Sequence, residues 1–243
     1  MGTEPETDAR GISISAVLPA FNEAPNLAGV VSELTAVLAE AAPRFEIIVV
    51  DDGSRDGTSE LADRLAKDDP RLRVIHHPRN LGYGSALRSG FGAAQYDWIF
   101  FMDSDGQFLP SEIKDLIRLS REHVFVAGYR ARRQDPWPRR FYSALFSALV
   151  RALFGVKARD VNCAFKLFQR RLIAGVELIS PGALINAELL AAAKDQGVNP
   201  LETPVTHRPR LSGRQTGGSL KVILRALTEL VRLYLHRRKS RTT

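Results

Sequence analysis

The sequence predicts an α/β fold with a mainly parallel central sheet flanked by helices. Between residues 12 and 127, apolar runs typical of strands alternate with amphipathic runs typical of helices. Several of the apolar runs are continuous, as expected for strands that are buried on both sides. Acidic, turn-forming segments follow three of these strands, and ligands bind at the carboxyl ends of strands in sheets of this kind.

The elements of this region can be assigned in order. The predicted strands are residues 12–18, 45–50, 72–76, 97–102 and 124–127. The predicted helices are residues 25–40, 58–67, 84–95 and 110–121. Pro110 suits the first turn of its helix, where its missing N–H group has no partner to lose. Thr58 or Ser59 is expected to cap the second helix through its hydroxyl group.

The pattern changes after residue 128, where basic loops and longer helices replace the regular alternation. The predicted basic loops are residues 129–140 and 207–218, the predicted strand is 163–169, and the predicted helices are 138–154, 185–195 and 219–238. The last helix is amphipathic, because its apolar residues fall on one side and its Lys and Arg residues on the other. Basic residues continue beyond it to Arg241.

The composition is that of a folded, soluble protein. Hydrophobic residues make up 44% of the 243 residues and charged residues 25%, which excludes global disorder. The single cysteine, Cys163, excludes an internal disulfide framework and is compatible with a reducing cytosol. The polar first residues are unlike a signal peptide, and no apolar run reaches the roughly 20 residues that a spanning helix needs.

The two halves of the chain carry opposite charge. Residues 1–120 contain 11 Lys and Arg against 19 Asp and Glu, whereas residues 121–243 contain 23 against 8. A basic half indicates an anionic partner, such as a phosphate group, a nucleic acid or a membrane surface. Because no nucleic-acid recognition motif accompanies the charge, we expect no nucleic-acid partner.

The segment Asp103-Ser104-Asp105 carries the strongest chemical signal. Its two carboxylates directly follow a buried strand and can both reach one cation. Mg²⁺ and Mn²⁺ prefer oxygen ligands and often share them with substrate phosphates. Gln107 adds an amide oxygen nearby. An acidic turn without any ligand is the alternative.

Two further segments have competing interpretations. Asp51-Asp52-Gly53-Ser54 follows a strand, so its carboxylates either bind ribose or base groups or cap the next helix. The Asn80–Gly84 segment resembles part of a dinucleotide-binding loop, but Leu87 stands where that motif needs its third glycine. A nicotinamide oxidoreductase is therefore the least favoured class.

Taken together, the motifs resemble the family 2 glycosyltransferases of the GT-A fold, and most of all the polyprenyl-phosphate (dolichyl-phosphate) mannosyl- and glucosyltransferases. The resemblance covers residues 12–220. The segments that carry it are Pro19-Ala20-Phe21-Asn22-Glu23, Val50-Asp51-Asp52-Gly53-Ser54, Asn80-Leu81-Gly82-Tyr83-Gly84-Ser85-Ala86, Met102-Asp103-Ser104-Asp105-Gly106-Gln107 and Arg210-Leu211-Ser212-Gly213.

The resemblance implies roles for individual residues. The nucleoside of a sugar nucleotide would be held by Pro19, Phe21, Glu23 and Asp52. Mg²⁺ or Mn²⁺ would be bound by Asp103, Asp105 and Gln107. The acceptor phosphate would face Arg130, Arg140 and Ser143, and the donor phosphates would lie near Arg210. Asp160 and Glu188 match positions that line the family's site. Asp105, Arg130 and Arg140 are the expected catalytic residues.

Two departures from the family pattern affect donor choice and acceptor contacts. Relatives often have Ser-Gly-Phe-Arg where this chain has Asn162-Cys163-Ala164-Phe165-Lys166. They also often have Lys where Thr216 aligns.

The expected function is the metal-dependent, inverting transfer of mannose or glucose from GDP-mannose or UDP-glucose to a polyprenyl phosphate. The site of action would be the cytosolic face of the cell membrane, reached through amphipathic helices or a membrane-protein partner. A hydroxyl acceptor in cell-envelope glycan synthesis and a catalytically silent GT-A module are the alternatives. The expected organisation is a disordered tail (1–10), a nucleotide-sugar half (11–127), an acceptor half (128–218) and a basic amphipathic helix with its tail (219–243).

Overall fold

The computed structural model describes residues 11–131, 137–210 and 228–237, and for residues 137–142 it describes the backbone alone. A seven-stranded sheet runs through the described chain in the order β3-β2-β1-β4-β6-β5-β7. Its strands are β1 Ser13–Ala20, β2 Arg44–Asp51, β3 Leu72–His76, β4 Trp98–Met102, β5 Phe125–Arg130, β6 Phe165–Gln169 and β7 Leu201–Val205. All neighbouring strands are parallel except β6, which is antiparallel to both β4 and β5.

Helices connect these strands. They are α1 Ala24–Ala41, α2 Thr58–Asp68, α3 Tyr83–Ala93, α4 Ile113–Leu119, α5 Trp137–Phe154 and α6 Ile185–Asp195. Residues 228–237 form a further helix, called here the 228–237 helix. Short 3₁₀ turns at Pro110–Glu112 and Arg170–Ile173 precede α4 and follow β6.

The core lies on both sides of the sheet, as the apolar runs predicted. Strand β4 is buried along its whole length, and β1 and β2 are buried from their second residue onward. Helix α1 buries Leu27, Val30, Val31, Leu34, Val37 and Leu38, which recur at helical spacing and form one apolar face. The sheet and this face exclude water from the base of the strand ends, where the acidic segments begin.

The fold class and most elements are confirmed, with two corrections. The expected hydroxyl cap of α2 is wrong, because Gly57 is its N-cap residue and Asp56 accepts from the Thr58 backbone N–H at 3.1 Å. Strand β7 was not predicted. It is short and only partly buried, so its sequence lacks the continuous apolar run that marks the inner strands.

The division between the expected halves falls inside one sheet, since β5 runs across residues 127 and 128. Several predictions lie outside the described residues: the tail 1–10, residues 132–136 of the first basic loop, and 211–227 with 238–243. The 228–237 helix lies within the predicted helix 219–238.

Close packing of α3 on β1 depends on Gly90. A Cβ atom at this position would lie 2.3 Å from Cγ1 of Val17 in the buried strand β1. Gly92, two residues further along the same helix, has no atom within 4 Å of the equivalent point.

We therefore expect Gly90→Ala to lower the melting temperature measured by circular dichroism. Overpacking of this kind costs about 1–3 kcal/mol, and each kcal/mol shifts the melting temperature by about 2–4 °C in a chain of this size. Gly92→Ala is the matched control and should be neutral or stabilising, because alanine favours helix. Equal melting temperatures for the two variants would contradict this account of the packing.

Candidate active site

The carboxyl ends of β1, β2 and β4 meet at one edge of the sheet because these strands are parallel neighbours. Hydrogen bonds join the three acidic segments that follow them. Ser104 donates its hydroxyl to the Pro19 carbonyl at 2.7 Å, and the Asp52 backbone N–H donates to the Ala20 carbonyl at 2.8 Å. The Asn22 backbone N–H donates to the Ser54 hydroxyl at 2.9 Å. These bonds build one rigid edge from three distant parts of the sequence.

A cluster of carboxyl groups lies at this edge. Burial, reinforced by the neighbouring Asp105 carboxylate, raises the pKa of Asp103 to about 7. Burial also raises the pKa of Glu23, and the charge of Asp105 acts in the same direction. The Asp105 carboxylate thus opposes the ionisation of both Asp103 and Glu23, and a cation placed among the three groups would relieve that opposition.

Arg210 provides part of the compensating charge within the chain. Its guanidinium group donates to the Glu23 carboxylate, and its Nη1 atom lies 3.8 Å from Oδ2 of Asp105. The side chain of Arg210 is 16% exposed, so this pairing is largely shielded from water. A residue expected near the donor phosphates is therefore held against the acidic cluster.

Gln107 positions the segment that carries Arg210. Its side-chain amide donates to the Arg208 carbonyl at 2.8 Å, and the Arg208 N–H donates to the Gln107 carbonyl at 2.7 Å. Phe108 and His207 form an adjacent antiparallel bridge. Since its amide nitrogen is bound to Arg208, Gln107 has its amide oxygen to offer a cation.

Asp52 anchors a loop. Its carboxylate accepts from the Leu81 and Gly82 N–H groups at 2.9 and 2.8 Å, and its Oδ1 atom lies 2.7 Å from Nδ1 of His77. A nucleoside contact would have to use the lone pairs that remain. The expected role of Asp52 in nucleoside binding stays a prediction. The structure adds a second role, because Asp52 holds the loop at Leu81 and Gly82.

The glycines of the 80–84 segment serve loop packing. The Gly84 N–H donates to the Pro181 carbonyl at 2.8 Å, and a Cβ atom on Gly82 would lie 2.5 Å from the same oxygen. Glu188 holds the other side of this contact, accepting from the Ile179 and Ser180 N–H groups at 2.8 and 3.0 Å. These close contacts account for the glycines without a dinucleotide.

The residues expected to face the acceptor phosphate include Arg130, which lies at a second position on the same edge. Arg130 ends β5 and forms a two-bond ion pair with Asp160, with N···O distances of 2.7 and 2.8 Å. The side chains are only 9% and 8% exposed, so the pair is fixed. Ser143 lies half-buried on α5, and the side chain of Arg140 lies outside the described part of the structure.

Phe21 lies at the mouth of the site and is 41% exposed, which is unusual for a phenylalanine and suits stacking on a flat ring. Asn22 follows it with a φ of 57°, a left-handed conformation that turns the chain sharply at the end of β1. Pro19 lies inside β1, and its carbonyl group accepts the hydrogen bond from Ser104 that joins two of the acidic segments.

Two residues beneath the acidic cluster had no site role in the sequence prediction. Lys166 lies on β6 and is 1% exposed. Tyr83 opens α3 and is partly buried, and its hydroxyl oxygen is buried beside Asp103. Burial, reinforced by the charge of Asp103, raises the pKa of Tyr83 well above its ordinary value. In the sequence, the only indication of a special role for Lys166 is its position in the otherwise apolar run Phe165–Phe168.

The donor set fits a divalent cation that shares its ligands with a substrate. Among the residues that the structure describes, no group of three or more His, Cys, Asp or Glu side chains could hold a metal by itself. Asp103 and Asp105 supply carboxylate oxygens, and the charge of Asp105 makes ionisation of Asp103 more costly. Gln107 supplies an amide oxygen. Mg²⁺ and Mn²⁺ commonly complete such sets with phosphate oxygens and water.

The raised pKa of Asp103 predicts a pH-dependent stability in the metal-free chain. In the folded state its pKa is about 7 instead of 3.8, so its charge costs stability increasingly as pH rises from 4 to 7. Asp103→Asn should raise the melting temperature most above pH 7, with the gain shrinking toward pH 4. Mn²⁺ should raise the melting temperature of the unmodified chain and leave that of the variant unchanged.

Asp115→Asn, at an exposed carboxylate on α4, is the control for this experiment and should show neither effect. A melting temperature that Asp103→Asn leaves unchanged at every pH would show that the carboxylate is well solvated, against the account given above.

The comparisons with known proteins agree with this geometry. The solved structure of glucosyl-3-phosphoglycerate synthase from Mycobacterium tuberculosis, with Mn²⁺, UDP and glucosyl-3-phosphoglycerate, superposes with a TM-score of 0.70 at 20% identity. The match covers 96% of this chain and 86% of that one. The fold is therefore that of the GT-A glycosyltransferases.

The sequence itself matches the model of the family "Glycosyl transferase family 2" over residues 15–176. The chain belongs to glycosyltransferase family 2. Polyprenol monophosphomannose synthase from Mycolicibacterium smegmatis is 30% identical over 236 residues, covering 90% of this chain and 87% of the relative. Undecaprenyl-phosphate 4-deoxy-4-formamido-L-arabinose transferase from Aeromonas hydrophila is 33% identical over 162 residues, covering 66% of this chain. The chain spans 50% of the length of that transferase.

Proposed function

We propose that the protein transfers a hexose, mannose or glucose, from a nucleoside diphosphate sugar to a polyprenyl phosphate, with inversion at the anomeric carbon. The observation that carries this proposal is the paired carboxylates Asp103 and Asp105, placed at a strand edge with Arg210 on one side and Arg130 on another. Relatives named for sugar transfer to undecaprenyl phosphate and for polyprenol monophosphomannose synthesis support a polyprenyl phosphate as the acceptor, and the second also supports mannose.

The donor would bind at the acidic cluster. Asp103, Asp105 and Gln107 would hold Mg²⁺ or Mn²⁺, which neutralises charge on a departing diphosphate. Arg210 pairs with Glu23 and Asp105 in this structure and can exchange these carboxylates for phosphate oxygens, since a guanidinium group binds both in the same way. Phe21, Glu23 and Asp52 would receive the nucleoside.

The acceptor would bind near Arg130, with Arg140 and Ser143 as the further expected contacts. A phosphate monoester is already anionic at neutral pH, so its oxygen can attack the anomeric carbon without a strong general base. The new bond forms from that oxygen as the bond to the donor diphosphate breaks, and the electron pair leaves with the nucleoside diphosphate. A single in-line attack inverts the configuration.

A transfer assay tests the proposal. Purified protein is given GDP-mannose or UDP-glucose with Mn²⁺ or Mg²⁺, with and without a short-chain polyprenyl phosphate. Nucleotide release and glycolipid formation that depend on the lipid are expected with one of the two donors. Release with a hydroxyl acceptor alone would favour the cell-envelope alternative. No release with any donor or acceptor would favour a catalytically silent module.

In the same assay, Asp105→Asn should lower the metal-dependent rate by about 100-fold or more, the loss typical of removing a main electrostatic contact to the departing group. The variant keeps the shape of the side chain and removes its charge. Asp115→Asn should retain full activity, because its exposed carboxylate pairs with Arg118 on α4. Full turnover by Asp105→Asn would exclude the proposed role of the acidic pair.

The protein would act at the cytosolic surface of the cell membrane as a peripheral protein. None of the described helices is long and apolar enough to cross a bilayer. Leu145 and Leu153 on α5, with Val231 and Leu235 on the 228–237 helix, are large apolar side chains exposed to solvent. The two helices contact each other through Phe154 and Tyr234, whose ring centroids are 6.3 Å apart.

Arginines accompany this apolar surface, since Arg151 and Arg232 are exposed on the same two helices. Apolar groups beside cationic ones favour an anionic lipid surface over a neutral one. The proposed occupant is therefore the anionic leaflet that carries the acceptor lipid.

We expect the double change Val231→Glu and Leu235→Glu to weaken binding to vesicles of anionic phospholipid, measured by cosedimentation. The side chains are 59% and 52% exposed, so the fold should tolerate the change. Ala36→Glu with Ala39→Glu on exposed positions of α1 adds the same charge elsewhere and should leave binding intact. Equal loss in both double variants would make net charge, and not this surface, the cause.

A further inference from the structure

Lys166 is the buried charge that the proposed mechanism does not use. It lies at the centre of β6, opposite Phe101 of β4 and Ala127 of β5, between two strands whose carboxyl ends form the site. No described carboxylate forms an ion pair with it. Taking an ammonium group out of water is costly, so such a residue in a strand between two apolar neighbours needs an explanation.

Three hydrogen bonds hold the ammonium group. It donates to the side-chain oxygen of Asn186 on α6 at 2.7 Å, to the Val161 carbonyl at 3.2 Å, and to the Cys163 carbonyl. Its Nζ atom also lies 5.3 Å from the centre of the Phe101 ring. All three N–H donors of the ammonium group are therefore used. The lysine ties one turn of the chain to helix α6.

The turn that it holds carries Asp160. The Cys163 N–H donates to the Asp160 carbonyl at 3.1 Å and closes residues 160–163 into a turn. Asp160 in turn fixes the guanidinium group of Arg130 through two hydrogen bonds. A continuous chain of contacts therefore leads from Lys166 through the turn and Asp160 to Arg130.

The electrostatics agree with this geometry. Lys166 is close enough for its charge to lower the pKa of Asp103 and to interact with Asp160. Burial lowers the pKa of Lys166 itself to about 8. The lysine thus lies beneath both the acidic pair and the arginine pair.

We propose that Lys166 is a positioning residue for the acceptor phosphate, because it holds the 160–163 turn so that Asp160 presents Arg130 in one fixed orientation. The inference rests on the proposed function for the identity of the acceptor. It adds that Lys166 orients Arg130, the proposed contact of the acceptor phosphate, and that this role is separate from binding of the donor. Preorganised contacts of this kind decide how firmly a site holds its substrate.

The test compares Lys166→Met, Lys166→Arg and the core control Phe168→Leu. Phe168 lies two residues further along β6, is fully buried and packs against Phe91, Phe101 and Phe125. KM for a short-chain polyprenyl phosphate and KM for the sugar nucleotide are measured separately. Asn186→Ala is a second variant, which releases the lysine from α6 and keeps its charge.

Lys166→Met should raise KM for the acceptor by about tenfold or more, as expected for a lost supporting contact, and KM for the donor by clearly less, because only its charge acts on Asp103. Asn186→Ala should act in the same direction, and Lys166→Arg should recover part of the loss. Phe168→Leu should lower the melting temperature without this selectivity. An equal rise of both KM values in Lys166→Met would overturn the inference.

A thermal double-mutant cycle with Lys166→Met and Asp160→Asn needs no substrate. Coupling between the two positions is expected, because the lysine acts through the turn that carries the aspartate. If the unmodified protein transfers no sugar to a polyprenyl phosphate, the proposed function fails, and this cycle still decides the link to Asp160. Additive changes in stability would overturn that link.

Discussion

Repulsion between carboxylates at the end of β4 is the constraint on which the site depends. Asp103 and Asp105 lie two residues apart at a buried strand end, with Glu23 nearby, and burial makes the charges of Asp103 and Glu23 more costly. The fold tolerates this cluster because the parallel sheet fixes its backbone and because Arg210 compensates part of the charge. Such an arrangement is unfavourable for stability alone, and functional sites often carry strain of this kind.

The remaining acidic residues of the edge stabilise loops and side chains of the protein itself. Asp52 and Glu188 are buried and accept backbone N–H groups, which fixes the 80–84 segment against Pro181. Asp160 is committed to Arg130. These carboxylates hold the loops in place, so that the exposed groups facing a substrate are already oriented. The edge thus contains two kinds of carboxylate. Some form hydrogen bonds and ion pairs that hold the loops, and others, such as Asp103 and Asp105, are placed to bind a ligand.

Local patterning accounts for most of what the sequence predicted. The helical spacing of α1 and the continuous apolar run of β2 each leave little choice of structure. Strand β7 was not predicted because its burial comes from pairing with β5, and the local sequence does not reveal that pairing. The placement of Asp103 and Asp105 followed from the strand before them. The loop contacts of Asp52 did not, since a carboxylate that binds a backbone and one that binds a ligand look alike in sequence.

The position of β6 has a consequence for how the chain folds. Strands β1 to β4 are complete by Met102, whereas β5 joins the sheet only through β6, which follows it by about 40 residues. The edge of β4 stays open until β6 arrives, and late long-range pairing of this kind slows folding and exposes apolar edges. The first four strands can therefore form early during synthesis, and addition of β5, β6 and β7 would be the slow, aggregation-prone step.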